Sequence, residues 1–222
     1  MKRHYQRHLP HQVPEGFPIF LTWNLKGAFP PEAIARIREE RERLEREPIC
    51  LDETSAARRI RHDKLAFAYS DRILDAGAEG PLDLKDASNA KIVEGSILFG
   101  VPERYELFAW CVMANHVHVL LHPIWELPRI TKGIKGFTAR EINKKQQEVG
   151  RVFWQDESYD HWARDHEEVM RIIAYTEDNP VTAGLCVRPE DWPWSSARFR
   201  AVWEVGQAFQ PDMQPKTSGW KA

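Results

Sequence analysis

Two runs rich in aromatic and β-branched residues, Tyr105 to Met113 and His116 to Leu121, stand only two residues apart, at Ala114-Asn115. So short a gap makes the chain reverse on itself, and the runs predict an antiparallel hairpin. A lone hairpin is marginal in water, so its apolar face needs further strands or helices to cover it. The flanking sequence supplies both. Phe17 to Leu25 reads as a strand ending before Lys26-Gly27. Pro30-Pro31 opens a charged helical stretch to about Glu47, and a second helical stretch runs from Ser55 to Ala76. Gly77, Gly80 and Pro81 then punctuate a loop, and Asp86 can cap a helix whose apolar residues Ala90, Val93, Ile97 and Leu98 recur at three- and four-residue spacing. After the hairpin, Leu127 to Gln147 reads as helix, and Arg151 to Trp162 as an aromatic-rich strand with a bulge at Asp156 to Ser158. Asp165 caps a last helix, apolar at Val169, Ile172, Ile173 and Thr176, stopped by Pro180 and Gly184. This order predicts an α+β chain: a ferredoxin-like split-βαβ antiparallel sheet with helices on one face, plus a C-terminal helix.

The length of 222 residues suits one domain. The expected division is a basic arm over 1–16, a domain over 17–200 with a helical insertion at about 31–76, and a tail over 201–222 expected to be disordered, being rich in Gln, Pro, Ser and Gly from about Gln207. No stretch reaches the roughly 20 apolar residues of a membrane helix, and no apolar run follows the basic start as a signal peptide requires. Cys50, Cys111 and Cys186 are odd in number and widely spaced, which excludes a disulfide scaffold or a Cys-x-x-Cys metal site and fits a reducing cytoplasm. The net charge of −2 names no partner. Its distribution says more, because Arg129, Lys132, Lys135, Arg140, Lys144, Lys145 and Arg151 face only Glu141 and Glu148 in their segment. Such a patch can track phosphates, and it can equally be a solvated face.

His116-Val117-His118 lies within a predicted strand, where side chains two apart share one face. Two imidazoles so placed can chelate one divalent ion while Val117 and Val119 enter the core; a plain polar pair on an open face has the same pattern. On the last helix Tyr175 and Asn179 are four apart and therefore neighbours on one face, with Glu168 on the same flank. Taken singly, such a tyrosine is a packing residue and such an asparagine a helix terminator.

Together these features resemble the HUH single-tyrosine transposases, most closely the REP-associated tyrosine transposases and their IS200-like relatives. The resemblance is carried in order by AWCVMANHVHVLL (109–121), FTAREINKK (137–145), FWQDESYDHWARD (153–165), YTEDNPVTAGL (175–185) and DWPWSSAR (191–198). It departs from the family in the insertion around 35–76 and at Ala114, where the family often has proline. It implies that His116 and His118 bind Mg²⁺ or Mn²⁺ with Asn179 as third ligand, and that Tyr175 attacks a single-stranded DNA phosphate. The products would be a 5′-phosphotyrosine link and a free 3′-OH, with single-stranded or hairpin DNA as partner and the protein a monomer or homodimer. Glu168 is the geometric candidate for a helper to the tyrosine. Arg140, Lys144 and Lys145 are candidates for holding phosphates, and Trp154, Gln155 and Tyr159, with His161 and Trp162 along the same strand, for meeting unpaired bases. Two other readings stay open: a domesticated hairpin-binding protein that seldom cleaves, and a zinc site using His116, His118 and His122.

Overall fold

The computed structural model describes residues 16–48, 53–77 and 80–203; the expected basic arm, Cys50 and nearly all of the expected tail lie outside them. Four strands, β1 (Ile19–Asn24), β2 (Tyr105–Val112), β3 (His116–Pro123) and β4 (Tyr159–Trp162), form one sheet in the order β2-β3-β1-β4. Every neighbouring pair is antiparallel. This is the split-βαβ arrangement expected, with the β2–β3 hairpin inserted beside β1. The intervening helices are α1 (Pro31–Arg46), α2 (Ser55–Ala76) and α3 (Ala87–Leu98), followed by α4 (Leu127–Lys145), α5 (His166–Thr182) and α6 (Ala197–Trp203).

The two-residue period of the strands sorts their side chains into two layers. Ile19, Leu21, Trp23, Val117, Val119 and Leu121 pack with Ala90, Val93 and Ile97 of α3 and Ile130, Ile134 and Ile142 of α4. Phe20 and Leu120 point the other way, against Val169 and Ile173 of α5 and Phe67 of α2. The register of β2 slips between Leu107 and Ala109, a bulge that turns Ala109 toward α5 while Trp110 and Val112 enter the first layer. The helices α3 and α4 thus cover one face, and the other carries α5 together with the insertion.

Two expectations change in detail. The strand predicted over Arg151 to Trp162 is regular only over its last four residues, with a single bridge from Leu25 to Trp154 before it. Gln155 N donates to the Asn24 carbonyl and Lys26 N to the Phe153 carbonyl, each at 2.9 Å, so the stretch meets only the end of β1, and Lys135 Nζ ties it to α4 through the carbonyls of Gln155 and Asp156 at 2.5 and 3.1 Å. Pro180 does not stop α5, which runs on to Thr182 before Gly184 turns at φ +70°. In the last turn a proline removes one hydrogen bond only, and Ala183 and Leu185 still bond back to the carbonyls of Asn179 and Pro180.

Candidate functional site

The strand parity that sends Val117 and Val119 into the first layer sends His116 and His118 to the face under α5 and α2. Their Nε2 atoms lie 3.0 Å apart, and both side chains are wholly buried. Each ring is held from behind. His118 Nδ1 meets Thr22 Oγ1 at 2.7 Å, its cross-strand partner on β1. His116 Nδ1 meets Asn115 Oδ1 at 2.7 Å, and Asn115 Nδ2 donates to the Leu74 carbonyl of α2 at 2.9 Å. That second bond fixes the amide's orientation, so its oxygen must face His116 and accept the Nδ1 proton. The Nε2 of His116 is then a bare lone pair, the state a metal ligand requires. Burial, joined for His116 by its neighbour His118, pushes both imidazoles down to about 3, so both are neutral at pH 7.

The Asp165 carboxylate caps α5 by accepting from Glu168 N at 2.7 Å. The far end of α5 is anchored where buried Glu177 accepts from Ser196 Oγ and Arg200 Nε, each at 2.6 Å, and Arg200 also donates to the Phe108 carbonyl at 2.9 Å. Pinned at both ends, α5 brings Tyr175 and Asn179 to the histidines. Phe20 and His118 surround the Tyr175 ring at 5.9 and 5.8 Å between centroids, and Phe67 lies at 6.2 Å.

Sequence reasoning missed the group at the centre. Asp71, one turn before Leu74 on α2, is buried between the histidines and the tyrosine. Its Oδ2 accepts from the Tyr175 hydroxyl and from Asn179 Nδ2 at 3.3 Å. Its Oδ1 lies 3.5 Å from His118 Nε2 and 3.8 Å from His116 Nε2. Asp75 Oδ1 is 3.7 Å from His116 Nε2, and burial and the Asp71 charge push its carboxyl up to about 7. Phe67, Asp71 and Asp75 recur every four residues and so share one face of α2, which is the one signal the sequence offered. Burial, the Asp71 charge and their hydrogen bond hold the Tyr175 phenol well above its ordinary value.

The buried oxygens Asp71 Oδ1, Asp75 Oδ1 and Asn179 Oδ1 have no hydrogen-bond partner. Each such atom costs about 1–3 kcal/mol. A divalent cation among Asp71, His116 and His118, whose ligand atoms lie within 4.8 Å of one another, would satisfy the arrangement. Neighbouring ligands of an octahedral ion with bonds near 2.1 Å stand roughly 3 Å apart and opposite ones roughly 4.2 Å. The donor set fits a metal.

The remaining expected residues fall elsewhere. Glu168 does not touch Tyr175: it binds Lys64 Nζ at 2.6 Å, His161 at 2.9 Å and the Arg164 amide at 3.0 Å. Burial alone would raise its carboxyl, but these bonds outweigh it and leave it at about 2. It is an anchor between α2, β4 and α5. Trp154 is 4% exposed and donates to Thr138 Oγ1 at 2.9 Å, so it is a core residue and presents no face for a base. Tyr159 stacks on Phe67 at 4.0 Å, and Gln155 lines a cavity of about 270 Å³ that reaches Thr22 and Asp71. Arg140, Lys144 and Lys145 lie on α4, across the sheet from Tyr175. Arg140 meets Glu141 at 3.2 Å, and Lys145 binds Asp86 and Asn89, each at 3.0 Å. Lys144 lines a groove of about 890 Å³ with Lys91, Phe99, Arg104 and Phe137. His122, the third member of the zinc reading, is outside the cluster and faces Glu106 at 3.6 Å.

Comparison with known proteins bears on the same residues. The sequence profile of the family described as Transposase IS200 like matches residues 101–179, from just before β2 to Asn179. Over this segment the chain is similar to that family. The segment holds the histidine pair, the basic helix α4, and Tyr175 with Asn179, but not α2. A solved structure of the REP-associated tyrosine transposase bound to a REP hairpin aligns over 100% of this chain and 99% of that one, at 16% identity and a TM-score of 0.49. No curated protein matches. Among the described residues no helix is long and apolar enough to cross a membrane.

Proposed function

We propose that the protein is a metal-dependent endonuclease and strand transferase of the transposase type, acting on single-stranded DNA at hairpins through a 5′-phosphotyrosine intermediate. One observation carries the reading. Within a segment matching the IS200-like transposases, the Tyr175 hydroxyl and the Asn179 amide converge on a carboxylate that faces two neutral imidazoles. His116, His118 and Asn179 are the residues that would hold Mg²⁺ or Mn²⁺. The ion would polarise the scissile phosphate and offset the charge of the transition state.

Tyr175 is 37% exposed, so a strand can approach it from solvent. Its oxygen forms the bond to phosphorus as the bond to the 3′ oxygen breaks. The electron pair leaves on that 3′ oxygen, which takes a proton from water and becomes the free 3′-OH. The phenol proton goes to the acceptor already in contact with it, Asp71 Oδ2. Because the phosphodiester is exchanged rather than hydrolysed, a later 3′-OH can rejoin strands without ATP. The cationic groove of Lys91, Arg104, Lys144 and Lys145, which also exposes Phe99 and Phe137, suits the rest of a folded DNA strand.

The test uses wild type and Tyr175→Phe with end-labelled hairpin oligonucleotides taken from the flanks of the gene, plus Mn²⁺ or Mg²⁺. The expected result on a denaturing gel is label migrating with protein, dependent on metal and lost in the Phe variant. Tight hairpin binding with no adduct in either protein would favour the domesticated, non-cleaving reading instead.

A further inference from the structure

The insertion that breaks the family pattern also supplies the only carboxylates at the centre among the described residues. We propose that Asp71 is a metal ligand that bridges the ion to the nucleophile, which makes helix α2 a catalytic element rather than a decoration. The proposal rests on the metal-dependent reading above and adds to it the anionic ligand.

Charge is the first argument. An imidazole binds a metal through a lone pair and so brings no charge, and neither does the Asn179 amide. Taking a divalent cation out of water into a fully buried pocket costs several kcal/mol unless an anion meets it there. Asp71 is placed to be that anion. Its Oδ1 faces both Nε2 atoms and has no other partner, whereas Asp75 reaches His116 alone. A carboxylate and an amide oxygen beside two imidazoles also bias the site toward harder ions than a thiolate-rich cage would.

Geometry is the second. The two oxygens of one carboxylate face opposite ways, Oδ1 to the imidazoles and Oδ2 to the Tyr175 hydroxyl and Asn179 amide. A ligand held at both ends fixes the distance between ion and nucleophile, which two separate ligands on β3 and α5 would leave to the packing of the helix on the sheet. Helix α2 is itself locked over the site. Phe67 packs on Phe20 and Tyr159, Lys64 bonds Glu168 at 2.6 Å, and the Leu74 carbonyl orients the amide that sets the tautomer of His116.

The experiment is Mn²⁺ titration of the full chain without DNA, followed by the electron paramagnetic resonance of free Mn²⁺, for wild type, Asp71→Asn, Asp71→Ser, His116→Ala and Tyr175→Phe. Wild type should bind one ion; His116→Ala should lose it; both Asp71 variants should bind at least about tenfold more weakly, with metal-free melting no lower than wild type because a half-paired buried carboxylate is gone. Tyr175→Phe removes an outer partner of Oδ2 and no ligand, so it should still bind one ion, about tenfold more weakly at most and less weakly than either Asp71 variant. Undiminished affinity in Asp71→Asn, or no site in wild type, overturns the proposal. The adduct assay reports separately: Mn²⁺ held through Asp71 with no adduct would sink the nuclease reading alone, and an adduct with Mn²⁺ binding indifferent to Asp71 would sink this one alone.

Discussion

Asn115→Ala tests whether the histidines are prepared for a metal before one arrives. The side chain is 4% exposed and makes two hydrogen bonds, accepting from His116 Nδ1 at 2.7 Å and donating to the Leu74 carbonyl at 2.9 Å. Truncation leaves the His116 Nδ1 proton buried without an acceptor. The Leu74 carbonyl keeps a second partner, the Gly77 amide at 3.1 Å. One orphaned donor and one weakened bond sum to about 2–3 kcal/mol of lost stability. For a chain of this size that lowers the melting temperature by roughly 5–10 °C. The ring is then free to place its proton on either nitrogen, and loss of such an outer partner weakens metal binding by about 10–100-fold. Calorimetric titration with Mn²⁺ beside thermal melts of the metal-free protein reads both numbers. A variant that melts lower but binds Mn²⁺ like wild type would refute the tautomer argument and reduce Asn115 to a packing residue.

Other expectations follow from neighbouring contacts. Phe67→Ala removes the ring that packs on Phe20, Tyr159 and Tyr175, and should cost about 2–3 kcal/mol, less than a fully buried phenylalanine because Phe67 is half-buried. Amide exchange should rise in α2 before it rises in β3; equal rises in both would show that α2 is not a separately held layer. Glu168 sits at about 2 in the folded chain against an ordinary 4.5. A depressed carboxyl stabilises above its unfolded value, so about 2–3 kcal/mol should be present above pH ~4.5 and drain away as pH falls toward 2. Glu168→Gln should flatten that acid-side slope in melts between pH 7 and 3, and an unchanged slope would count against the anchor. Trp154→Ala should cost about 3–5 kcal/mol, as for a buried core tryptophan, while hairpin affinity per folded molecule stays within about twofold. A specific loss of affinity at full stability would return Trp154 to the DNA surface.

Much of the fold could be read along the chain because it depends on neighbours in sequence. The hairpin at Ala114-Asn115, the capping aspartates Asp86 and Asp165, and both ends of α2 are local signals, and each element appears where its signal stands. Two errors were also local in origin. A proline signals a stop, yet α5 runs two residues past Pro180. The aromatic run over 151–162 has the composition of a strand, yet only its last four residues are regular strand, and its first half meets the end of β1 on one side and Lys135 of α4 on the other.

The sequence by itself determined the pair of imidazoles on one face of a strand and the tyrosine and amide on one face of a helix, since residue spacing within an element sets which side chains share a face. It could not determine which elements meet. That His116 and His118 open toward α5, and that a helix some forty residues earlier in the chain lays Asp71 between them, are outcomes of packing. Phe67 of α2 fills the layer above Phe20, and Glu168 ties Lys64 to the start of α5. Burial then did the rest. It kept the imidazoles neutral and left Asp71 Oδ1 and Asn179 Oδ1 without partners, which is what turns four scattered polar residues into a site that fits a cation.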